Sequence, residues 1–265
     1  MKRIALIATA VAMLIAATAA FAATPVNTYT ATYNFSPGSS GTAKKPVKTS
    51  FKQVIKVTPG TPGNRAGVLK DIKTTIYGLK VDGKDFPTCP ASKITSSDTA
   101  CPKGALVASG SITAVLGSPT DPTTATGTTG PCDPLLHVWN GGQGKLVFFF
   151  VDGTGANTCL GGAITTGSVP PYPATYKQSG KNLVVNIPIP KSVDYPSGLV
   201  GSLQSETLNW KGQSSKGNIS IASVACKGSK RPYSTSFTAA PITAPSGSGN
   251  QTVSVSGSAP CKASK

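Results

Sequence analysis

The chain has 265 residues, of which 25 are Lys or Arg, nine are Asp or Glu and one is His, for a formal net charge of +16. Acids this scarce, with Glu206 the single glutamate, and an excess of Thr, Ser, Gly, Val and Pro exclude the Glu/Lys/Leu-rich composition of a soluble helical protein. A lone histidine, His137, excludes any metal or catalytic site that needs two imidazoles.

Met1-Lys2-Arg3 precedes an apolar run from Ile4 to about Ala19 and a small-x-small pattern at Ala20-Phe21-Ala22. This is the pattern of a secretory signal peptide over residues 1–22, and the run is too weakly hydrophobic for a stable membrane anchor. Residues 23–265 are then expected to form a single secreted domain, with 23–48 a partly flexible N-terminal segment. Six cysteines in an exported chain point to three disulfides and not to metal ligands. Six cysteines allow fifteen pairings. The sequential set, Cys89–Cys101, Cys132–Cys159 and Cys226–Cys261, is favoured because each pair closes a segment that reads as a loop or a hairpin.

In chain order, Tyr29, Ala31, Tyr33 and Phe35 alternate with polar residues and mark one face of a strand. A turn and a lysine cluster at Lys44, Lys45 and Lys48 follow. Phe51, Gln53, Ile55 and Val57 then alternate with Lys52, Val54 and Lys56, giving a strand with a solvated lysine face. TPGTPGNRAG at 58–67 is a Pro/Gly loop, and 71–79 alternates again. The stretch FPTCPASKITSSDTACPKGALVASGSI, 86–112, places two Pro-flanked cysteines around a short polar loop. It leads into a strand whose small alternate residues, Ala108, Gly110 and Ala114, suit a close approach of another sheet or a tight bend.

Residues 117–130 have no apolar period and read as a long exposed loop. Leu135 to Trp139 and Lys145 to Asp152 read as strands joined by NGGQG, and LVFFFV, apolar on both faces, is expected at the buried centre of the fold. Asn182 to Ile189 alternates, with Pro188 suggesting an edge or a bulge. Further strands are expected near 199–210, 217–226, 233–240 and 251–257. No helical run of ten residues is found outside residues 1–22.

About ten to twelve short strands with long Gly/Pro/Thr-rich loops make the expected class all-β, an antiparallel β-sandwich. Parallel α/β is disfavoured for want of crossover helices. An outer-membrane barrel is disfavoured because LVFFFV would point aromatics into a polar lumen.

Several segments together resemble a group of secreted, disulfide-containing, β-rich proteins of high-GC Gram-positive bacteria. They are GTAKKPVK at 41–48, FPTCP with ACPKGALVASGSI, LHVWNGG with GKLVFFFV, NLVVNIPIP, and CKGSKRPYSTSFTA leading to Cys261. The last hairpin of that group usually carries a tryptophan, where this chain has Arg231-Pro232-Tyr233. The resemblance implies an exported β fold and the Cys89–Cys101 and Cys226–Cys261 pairings. It carries over no catalytic residue.

His137 with Asp133 is a His–Asp dyad in principle, but no G-x-S-x-G elbow supplies a serine. Asp133, Asp152, Asp194 and Glu206 are the C-terminal carboxylates open to a glycosidase pair. No clustered Asp/Asn set suits calcium, and Gly153-Thr154-Gly155 lacks the lysine of a phosphate loop. No cofactor is expected. The positive charge implies attraction to anionic cell-envelope polymers or a membrane surface, through Lys44, Lys45, Lys48, Lys52 and Lys56. After residue 22 only Arg65 and Arg231 supply guanidinium forks, so no specific nucleic-acid reading is expected.

The leading expectation is a non-enzymatic exported protein, extracellular with cell-wall association as its finer reading, held to the envelope by charge. One alternative is a carbohydrate-binding or carbohydrate-active protein using Trp139 and Trp210 as an aromatic platform. Another is an apolar-ligand carrier with an internal cavity beside LVFFFV.

Overall fold

A computed structural model describes residues 27–123, 130–151, 159, 168–194, 198–242 and 249–263. The expected signal peptide, Asp152 and residues 124–129 of the long loop lie outside them.

Twelve strands form one antiparallel sheet. They are β1 (Thr28–Ser36), β2 (Ser50–Thr58), β3 (Val68–Tyr77), β4 (Leu106–Gly117), β5 (Gly130–Cys132) and β6 (Leu135–Gly142). After these come β7 (Lys145–Val151), β8 (Tyr172–Ser179), β9 (Asn182–Pro188), β10 (Val200–Trp210), β11 (Lys230–Ala240) and β12 (Gln251–Pro260). The order across the sheet is β1-β2-β10-β4-β6-β7-β8-β9-β3-β11-β12, with β5 on the end of β4. Among the described residues the one α-helical stretch is α1 (Lys191–Asp194), beside two 3-10 turns.

The all-β class is as expected, and the sandwich is made from one sheet that folds over on itself. Tyr29 on β1 stacks on Phe237 of β11 at 4.5 Å, and Tyr33 meets Tyr233 edge-on at 4.7 Å. The first and last strands of the path lie side by side with no ladder between them, so the sheet is nearly closed. Register shifts at Leu106/Ala108, Leu203/Ser205 and Thr238/Ala239 supply local bends, as extra residues in a ladder do. The enclosed face is mostly apolar, and the outer face of β1, β2 and β12 is mostly Thr, Ser, Asn and Lys. That polarity is the inverse of an outer-membrane barrel.

Residues 28–36, inside the segment expected to be partly flexible, form edge strand β1 with Tyr29, Ala31 and Tyr33 buried. β7 occupies the middle of the sheet and is buried on both faces, for a reason the strand order makes plain. Leu146, Phe148 and Phe150 face the enclosed core, while Val147 and Phe149 pack outward under the 82–105 segment with Trp139, Ile94 and Cys89. Asn140, 2% exposed, donates to the carbonyls of Gly83 (2.9 Å) and Pro87 (3.0 Å) and so ties that segment to the sheet. Pro188 sits at neither an edge nor a bulge. It ends β9, an interior strand between β8 and β3, where a missing N–H interrupts nothing further along. Gly110 is required for close packing, since a Cβ there would meet the carbonyl of Thr207 on the neighbouring β10.

Candidate functional site: the interior cavity

Folding the sheet over leaves space between its two halves. A more polar hollow of about 180 Å³ is lined by Asn27, Arg65 and Pro122. Of the two hollows lined mainly by the enclosed apolar face, the larger has about 120 Å³ available to the centre of a water molecule. Its wall is apolar, with Ile72, Ile112, Phe150, Tyr172, Val193 and Leu203 among the lining residues. A second hollow of about 40 Å³ lies beside Phe51, Trp210 and Leu183. Each of these two would hold several waters by volume, yet the polar partners that ordered waters need are few.

Glu206 lines the larger cavity. Along β10 the parity of Leu208 and Trp210 carries Glu206 to the enclosed face, where it is 5% exposed. Ile55 stands opposite it on β2, which makes Gln53 a diagonal neighbour within side-chain reach. Gln53 Nε2 donates to Glu206 Oε1 at 2.7 Å, and Trp210 Nε1 donates to Gln53 Oε1 at 3.2 Å. Gln53 and Trp210 line the smaller hollow, so this relay stands between the two. Burial pushes the Glu206 carboxyl up to about 7, and the Gln53 bond only partly opposes it.

Other polar groups nearby are satisfied by neighbours or held by desolvation. Tyr33 shares hydrogen bonds with Thr74 (3.1 Å) and Thr235 (2.9 Å) across the interior, and burial pushes its phenol up to about 12. Tyr172 is likewise raised by burial, with the Glu206 and Asp194 charges adding to it. Asp194, at the end of α1 and 3% exposed, pairs with Lys70 Nζ at 2.5 Å. Desolvation lifts its carboxyl to about 6 against the pull of Lys70.

The disulfides in the structure are Cys89–Cys101, Cys132–Cys159 and Cys226–Cys261. The second lies in the cavity wall; the first caps the outer cluster over β6 and β7. Three disulfides are compatible with an oxidising, extracellular setting.

The aromatic platform is corrected. Trp139 is 5% exposed under the Cys89–Cys101 segment, and Trp210 is 7% exposed and stacked on Phe51 at 5.5 Å. Neither offers a ring face to solvent, because each completes a core cluster. His137 is paired with Asp98 Oδ2 at 2.5 Å and not with Asp133, which accepts from the backbone N–H of Ala114. Asp98 escaped the sequence reading because it lies 39 residues away on the covering segment.

Lys44, Lys45, Lys48, Lys52 and Lys56 are all exposed, and among the described residues none forms an ion pair. Most other lysines are exposed too, on every part of the surface. Both arginines of the described residues, Arg65 and Arg231, are by contrast internal. Arg65 donates to the carbonyls of Val200 (2.9 Å) and Asp121 (2.7 Å), pinning the described start of the 117–130 loop. Arg231 lies under Phe35 at 4.3 Å with Nη2 donating to Ser223 Oγ.

Comparison with protein-family models, curated proteins and solved structures returned no match.

Proposed function

We propose that this protein is an exported, non-enzymatic carrier that holds an apolar small molecule between the two halves of its sheet. The observation that carries this reading is the apolar interior cavity of about 120 Å³ beside Phe150 and Tyr172. A concave apolar site with a few converging polar groups is the usual form of a small-molecule pocket. Export rests on the leader-like residues 1–22, the resemblance to secreted proteins and the disulfides. The exposed surface lysines add a second element, loose attachment to an anionic envelope.

The carrier reading is tested with N-phenyl-1-naphthylamine, a probe whose emission rises in apolar surroundings. The expected result is saturable, roughly one-to-one binding that falls at least tenfold in Ala114→Phe, which fills the cavity from β4. Absence of binding to the disulfide-intact protein overturns it.

A further inference from the structure

The polar groups around the cavity are unequal in sign. Glu206 lines the cavity, and its Oε1 accepts from Gln53 Nε2, the one side-chain hydrogen bond of this carboxylate among the described residues. Among the described residues no Lys or Arg pairs with Glu206; burial raises its carboxyl and the Gln53 amide opposes it. The groups facing it from the surrounding strands are Tyr33 on β1, Gln53 on β2 and Tyr172 on β8, with Asp194 from α1 further along the wall. Lys70, which reaches the wall, is already bound to Asp194. A chain with 25 basic residues and a single glutamate therefore places that glutamate where its own lysines do not reach.

Such a cavity disfavours an anionic head group, because two carboxyls line it and no free donor of positive charge does. An alkyl chain alone would displace water from this carboxylate without replacing its hydrogen bonds, at a cost typical of a desolvated polar group. A cationic nitrogen supplies both a donor and the opposite charge. Building on the carrier reading, we infer that the cavity takes an apolar molecule bearing one basic nitrogen, with its hydrocarbon against Ile112, Phe150 and Leu203 and its ammonium on Glu206.

The eight-carbon series 1-octylamine, 1-octanol and octanoate separates the possibilities by isothermal titration of the disulfide-intact protein in about 0.15 M salt, where long-range surface charge is screened. At pH 8 octylamine should bind at least tenfold more tightly than octanol, and octanoate most weakly. The preference for the amine should disappear in Glu206→Gln while octanol affinity is retained, which also reports that the variant is folded. It should disappear in the wild type at pH 5 too, where Glu206 carries its proton; Asp194 is also largely protonated there and contributes in the same direction. Octanol binding as tightly as octylamine, or octanoate binding best, overturns the amine assignment and leaves the carrier standing. Failure of all three to bind removes the carrier reading itself.

Discussion

Glu206 is ionised at a cost when the cavity is empty, and that cost has a definite pH signature. The unfolded chain releases this proton near the ordinary 4.5, whereas the folded protein holds it to about 7. Between those values the folded state binds more protons, so stability falls as pH rises and levels off above about 7. Asp194, raised from 3.8 to about 6, acts in the same direction. Glu206→Gln should therefore flatten most of the decline between pH 5 and 8, with a gain at pH 8 on the order of 3 kcal/mol or less. Urea unfolding at the two pH values measures it; an unchanged slope would mean that the folded carboxyl titrates normally. The inward placement of Glu206 was legible in the alternation of QSETLNW. The space beside it was not, because a cavity is what remains after side chains from distant strands have packed. His137 shows the same limit: its sequence neighbour Asp133 lost to Asp98, which the covering segment brings across from the far side of β4.

The 82–105 segment behaves as an element in its own right, a lid of irregular chain fastened by Cys89–Cys101, Asn140 and the His137–Asp98 pair. Replacing both cysteines by serine should cost about 2–4 kcal/mol. It should also expose Trp139, read as a red-shifted emission and faster acrylamide quenching; an unchanged Trp139 would show that the segment is held by packing alone. The two-sided apolarity of LVFFFV announced a covered central strand, and the structure explains the outer cover by this segment. β8 was the least legible strand, although Tyr172, Ala174 and Tyr176 alternate cleanly with exposed residues. No strand was expected over 172–179, where Pro170, Pro171 and Pro173 crowd its start; Pro173 is the second residue of the strand, opposite Val147, and the next residues still pair with β7.

For the whole molecule, alternation fixes which face of each strand is buried but not which strands are neighbours. β10 inserts between β2 and β4, and β3 between β9 and β11, pairings that no local signal encodes. That is why an antiparallel sandwich was readable while its construction from one sheet was not. The charge distribution is also a property of the whole. Lysines dispersed over the surface, without exposed arginine forks among the described residues, give attraction without register. Binding of the protein to isolated cell walls should weaken steeply between about 0.05 and 0.5 M salt. Salt-independent binding would instead require a specific receptor.

The seam between β1 and β12 carries a consequence for the order of events in folding. The first strand finds its packing partners near the end of the chain: Tyr33 reaches Thr235 across 202 residues, and Tyr29 stacks on Phe237. Contacts of such separation form late, after loop closure has been met by nearer pairings. At a synthesis rate of about 5–20 residues per second, β1 waits roughly 10–40 s for its partners to emerge. Until then Tyr33 can meet Phe51 and Thr74 but Tyr29 lacks Phe237, so β1 can pair with β2 early while the seam closes only when β11 has been made.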